Sequence, residues 1–216
     1  MSALRHVLLG AHLRPEDAAL EGVIPLEAGS LVLSTIVADA NRNLASREIV
    51  AAAARLRQEL AAREIFVGIR YGATARDGED AARKCEPHLE RWASLLERWR
   101  GHAELTLKAG GAALPGRPDR KEFASGAEYL RALQTLRRAG GVDPAFLDEA
   151  ESRLGSIAAK IARRPREDGG SEIALLVRRE HLDLAKQAAE ELRRSHPGVP
   201  FLLSGPWPLE VFADEP

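Results

Sequence analysis

A single cysteine, Cys85, stands in this chain of 216 residues. One thiol closes no intramolecular disulfide and builds no thiolate metal cluster, so both kinds of scaffold are excluded. Aromatic residues are scarce, with three Trp, two Tyr and five Phe, so where each one falls carries information. An excess of one charge is also missing: 31 Lys and Arg against 32 Asp and Glu leave a net charge of −1. Nucleic-acid binders leave a basic footprint, and this balance gives no reason to expect a nucleic-acid partner. No apolar run approaches the ~18 residues that span a bilayer, so no membrane role is expected. The first 17 residues lack the apolar length and cleavage pattern of a signal peptide, which makes the cytoplasm the expected location. Near-neutrality leaves only weak repulsion between molecules and is compatible with association, without setting an oligomeric state.

What is present is the composition of a folded protein, 45% hydrophobic and 29% charged. Residues 5–10 and the β-branched run 31–37 read as strands. Between 46 and 63, Ile49, Ala53, Leu56 and Leu60 recur every three or four positions and predict a helix. Residues 64–70 read as a strand closed by Tyr71 and Gly72. Between 80 and 100, Ala82, Cys85, Leu89, Trp92, Leu96 and Trp99 form a helical seam. Pro87 inside it predicts a kink or a helix that starts near Glu86. Residues 103–108 then alternate with strand period. This order predicts an α+β fold whose N-terminal domain, 1–109, is a ferredoxin-like sheet covered on one side by two helices.

Glycines and prolines mark 110–124 as a linker, with a second domain over 125–216. Ser125 and Glu128 have capping-box spacing and open a helix with Tyr129 or Leu130, Leu133 and Leu136 inward. Gly140 and Gly141 end it, and Asp143 with Pro144 begins the next. There Leu147, Ala150, Leu154, Ile157 and Ile161 continue the helical step, giving a helical hairpin. A charged loop at 163–170 precedes a strand–helix–strand unit: strand 172–177, helix 181–195 and strand 199–203.

Motifs for catalysis are missing. None of the six histidines, His6, His12, His88, His102, His181 and His196, lies three or four residues from another, so the helical metal-ligand spacing is absent. The glycine pairs 110–111 and 169–170 match neither a phosphate loop nor a dinucleotide fingerprint. Cys85 sits in an apolar seam, the place of a buried structural thiol. No catalytic, cofactor-binding or metal-binding residue is assigned, and an enzyme is not expected. Gly205, Pro206, Trp207 and Pro208 stand apart. Two prolines fix φ on either side of the tryptophan and remove two backbone donors, so the strand must stop there or run along an edge. A stiff backbone presenting one indole suits either a lid over the sheet or a protein-docking point.

The run Gly205-Pro206-Trp207-Pro208 after an apolar strand resembles the C-terminal signature GPWPPYSF of the gas vesicle protein F/L family. Leu209-Glu210-Val211 stand where that family has Pro-Tyr-Ser, and Phe212 keeps the last aromatic. Residues 66–72, ending Arg70, Tyr71 and Gly72, are similar to that family's strand closed by an aromatic and a glycine. The long helix through Leu95 and Leu96 follows, then the strand carrying Glu104, then Ser125 to Leu130 with Tyr129 opening a helix. The likeness covers most of the chain.

The resemblance implies a non-enzymatic protein of gas vesicle formation that needs no cofactor. It further implies binding to the vesicle shell protein or other accessory vesicle proteins during nucleation or shell formation. A ligand-sensing regulatory module is the alternative, because a ferredoxin-like sheet does not fix function.

Overall fold

The structure, a computed structural model, describes residues 4–13, 20–39, 43–110, 119–139 and 141–213, the side chains of 133–139 excepted. The chain is mixed α+β and forms two compact units, Met1–Glu104 with Gly205–Pro216, and Leu105–Ser204. This partition differs from the expected one. The tail from Gly205 belongs with the N-terminal residues, and the chain changes unit inside a strand rather than in the glycine-rich stretch. Of that expected linker, residues 111–118 lie outside the described residues.

In the first unit the strands are β1 (Leu4–Leu13), β2 (Ile24–Ala28), β3 (Leu31–Asp39), β4 (Val67–Gly68) and β5 (Thr74–Ala75). Their order is β2-β3-β1-β4, with β5 also paired to β1, and the pairs are antiparallel. β2 and β5 were not expected. Pro25 weakens the strand signal of β2, and it is tolerated because β2 is an edge strand. Helix α1 (Arg47–Arg63) lays Ile49, Ala53, Leu56 and Leu60 against Val7, Leu9, Ile36 and Ala38 of the sheet and against Phe66. His6 and His12 tie β1 to β3, through Thr35 Oγ1 at 3.0 Å and Ser34 Oγ at 2.8 Å.

Helix α2 (Gly78–Arg98) continues through Pro87 and opens well before Glu86. Its start is fixed upstream, where the Asp77 carboxylate accepts the Asp80 N–H at 2.8 Å and the Asp80 carboxylate accepts the Arg76 N–H at 3.0 Å. That reciprocal cap nucleates the helix before the proline is reached. Its buried positions are Asp80, Ala81, Cys85, Leu95 and Leu96. Trp92 and Trp99 sit half-buried at the margin, on His88 and His102 at 5.2 and 5.4 Å between ring centroids.

The second sheet has order β7-β8-β6-β9, from β6 (His102–Ala109), β7 (Ala158–Pro165), β8 (Ser171–Arg178) and β9 (Phe201–Trp207). β6, expected in the N-terminal sheet, instead stands inside this one. Helix α4 (Pro144–Gly155) and helix α5 (Leu182–Ser195) contribute Phe146, Leu147, Ala150, Leu154, Ala185 and Leu192 to its core, with Ile173, Leu175 and Val177 of β8. The helical step expected to reach Ile161 stops at Gly155. Ile157 lies in the following turn, and Ile161 on β7 is 37% exposed. The expected loop 163–170 likewise begins as the end of β7, which closes on the turn 166–170. Helix α3 (Gly126–Ala139) opens with Ser125 Oγ accepting the Glu128 N–H at 3.1 Å and Glu128 accepting the Ala124 N–H at 3.1 Å. Of its expected inward residues, Tyr129 is half-buried and Leu130 is 59% exposed. The side chains of Leu133 and Leu136, and all of Gly140, lie outside what is described.

Candidate functional site

Of the motif residues in the first unit, Glu104 meets the C-terminal tail. Gly205 takes φ +124, a region closed to residues with a Cβ, and the Gly205–Pro206 peptide is cis. β9 is an edge strand, so Pro206 lacks no ladder bond that a central strand would need. Beyond Trp207 the chain turns onto β4. Leu209 donates its N–H to the Phe66 carbonyl at 2.8 Å and forms a parallel bridge with Val67. The expected strand 64–70 is a ladder only over Val67–Gly68, and the Phe66 carbonyl just before it bonds to the tail.

Apolar anchors hold the segment down. Pro208 is buried, Leu209 is 0% exposed and Phe212 is 1% exposed. Gly68 makes room for it: a Cβ there would stand 2.3 Å from Arg57 Nη2 and 3.0 Å from Pro208 Cβ. Gly10 does the same for Phe66, whose ring would lie 2.3 Å from an added Cβ. At the rim, Arg57 pairs with Glu210 at 2.7 Å and Arg91 donates to the Ala213 carbonyl at 2.6 Å.

Glu104 sits beneath. Its side chain is 2% exposed, and Oε2 accepts the N–H of Glu210 and of Val211, each at 3.2 Å, while Oε1 shares the Val211 N–H at 3.2 Å. Burial pushes its pKa up to about 7; the tail N–H donors oppose this and the charge of Glu210 adds to it. A carboxyl shifted this far is the usual mark of an acid–base centre. Here its hydrogen-bond partners are backbone amides of the same chain, so it holds a segment rather than a substrate. Among the described residues no group of three His, Cys, Asp or Glu is placed to hold a metal ion. No helix among them is long and apolar enough to cross a membrane.

Arg70, Tyr71 and Gly72 follow β4. Ala73 donates to the Arg70 carbonyl at 3.2 Å, which closes a β-turn, and Gly72 supplies the φ of +91 that its third position takes. Tyr71 is half-buried against the α1 core; its hydroxyl donates to the Leu44 carbonyl at 2.7 Å, and burial raises its pKa. Arg70 is exposed. Tyr129 lies in the second unit, with its ring on Phe123 at 5.6 Å and the Arg120 guanidinium at 5.8 Å. The sequence reading missed Leu209, Arg57 and Asp80. Only Leu209 had a signal, as an apolar residue three before Phe212.

Two solved structures share this architecture. The crystal structure of the gas vesicle protein GvpF from Anabaena sp. PCC7120 superposes with a TM-score of 0.71 at 16% identity, over 100% of this chain and 98% of that one. That of GvpF from Microcystis aeruginosa gives 0.72 at 14% identity, over 99% and 100%. A comparison with curated protein sequences gives no match. The model of the family described as gas vesicle synthesis protein GvpL/GvpF matches residues 21–213. With most of the chain matched, this protein belongs to the GvpL/GvpF gas vesicle synthesis family.

Proposed function

We propose that this chain is an assembly factor that binds the gas vesicle shell protein, or other accessory vesicle proteins, while the shell nucleates or grows. The observation that carries the reading is the family match across residues 21–213. The likeness to the two GvpF crystal structures over nearly the whole length supports it. On this reading the protein works without a cofactor, by contact rather than by catalysis, and acts in the cytoplasm at the growing vesicle.

The motif residues divide by accessibility. Glu104, Pro208 and Phe212 are buried and act through the fold. Arg70 is exposed, and Tyr129 and Trp207 are half-buried, so these three present side chains that a partner can reach. Trp207 carries the largest apolar face of the three, the usual hot-spot chemistry.

A pull-down with the vesicle shell protein and with each accessory vesicle protein tests the proposal. Binding to at least one of them, weakened by Trp207→Ala in a protein that still melts cooperatively, is the expected result. No binding to any of them, together with normal vesicles in a strain lacking the gene, would reject it.

A further inference from the structure

We propose that the tail, residues 208–213, is a proton-linked strap that closes on the first unit more tightly when Glu104 is neutral. The argument starts from what surrounds that carboxyl. It is almost wholly buried, and the charged neighbour that shifts it is another carboxylate, Glu210. Its hydrogen-bond donors are the tail amides. The charged groups on the packed elements are already committed. Glu210 on the tail is paired with Arg57 of α1 at 2.7 Å, Arg91 of α2 reaches the Ala213 carbonyl, and His102 of β6 has Nδ1 3.1 Å from the Arg100 carbonyl. Phe66, Val67 and Gly68 of the β4 region bring no charge.

Closing the strap therefore strips water from a carboxylate and brings another carboxylate near it. The bonding pattern tolerates the neutral form. Oε2 alone accepts both the Glu210 and the Val211 amides, so a proton on Oε1 leaves both bonds in place. Opening the strap returns the group to water, where its pKa is that of an ordinary glutamate. Closure and proton uptake are thus linked, with the closed-state pKa at about 7. The sign follows: the raised value means closure strengthens as pH falls below about 7, and its advantage is lost as pH rises to that point. The strap also covers Leu209 and Phe212, so loosening it uncovers two apolar side chains.

The test is amide hydrogen exchange at Glu210 and Val211 in the full chain between pH 5 and pH 8, corrected for intrinsic rates. Protection is expected to rise about tenfold per pH unit as pH drops below about 7 and to level off above it. Glu104→Gln keeps one carbonyl acceptor and has nothing to ionise, so its protection should be independent of pH. Equal protection at pH 5.5 and pH 8 in the wild type overturns the proposal, as does an unchanged pH dependence in Glu104→Gln. Should that variant not fold, Glu210→Gln serves instead. Removing the neighbouring charge shifts the wild-type midpoint to lower pH, and an unmoved midpoint rejects Glu104 as the titrating group.

Discussion

Leu209 gives its backbone N–H to the carbonyl of Phe66 at 2.8 Å, and both side chains are buried in the first unit. One bond joins the tail to the residue just before the two-residue strand that borders β1. The tail is in effect a last, very short strand, held by apolar weight rather than by a ladder. That division of labour can be tested residue by residue.

Phe212→Ala removes a ring that is 1% exposed. The loss of apolar burial and the cavity left behind should cost about 3–5 kcal/mol, measured by urea unfolding. Trp207→Ala, at a half-buried position, is expected to cost less. If Trp207→Ala proves the more destabilising of the two, the anchor of the tail lies before Pro208 and not after it.

Breaking the Arg57–Glu210 pair should matter little. The Glu210 side chain is 60% exposed, so water and salt screen the interaction. Glu210→Ala is expected to lower stability by roughly 1 kcal/mol or less. A loss as large as that of Phe212→Ala would show that charge holds the tail.

Two glycines make a ranked prediction. At Gly10 an added Cβ meets the Phe66 ring at 2.3 Å and the Val67 carbonyl, which is backbone, at 2.5 Å. At Gly68 it meets first the end of the Arg57 side chain, which can swing away. Overpacking of this kind costs about 1–3 kcal/mol, and Gly10→Ala should be the costlier substitution. Thermal melts of both variants decide the order.

The acid side of the stability profile should depend on Asp80. Its carboxylate accepts the Arg76 N–H and pairs with Lys84 at 3.0 Å and Arg83 at 2.6 Å. The Arg76 amide first, then the two cations, hold its pKa well below the usual range. A depressed folded pKa gives stability that is present above the unfolded value and is lost as pH falls below it. Asp80→Asn should therefore be destabilising at pH 7, with the gap to wild type narrowing by pH 3. A gap that stays constant would remove Asp80 from that role.

Periodicity exposed the parts of the fold that rest on one-dimensional patterns. Ile49, Ala53, Leu56 and Leu60 have helical spacing and all face the core. It failed where sequence-distant partners decide. Ile157 and Ile161 continue the step of α4, yet Gly155 ends the helix and β8 pairs with the segment that follows. β6 reads as a strand whichever sheet it joins, so its alternation could not say that β8 and β9 would flank it. For the site, the marker residues were visible in their order along the chain, but their work was not. Glu104 looks like one carboxylate among many until the tail amides are seen above it.

Because the residues from Gly205 onward complete the unit that begins at the N-terminus, that unit cannot finish folding while the ribosome is still making the intervening Leu105–Ser204. At ~5–20 residues per second, the wait lasts on the order of several seconds to some twenty. Through that interval the carbonyl of Phe66 and the seats of Leu209 and Phe212 stand unfilled, and a prematurely terminated chain keeps them so. Only a chain translated through Phe212 can fill them.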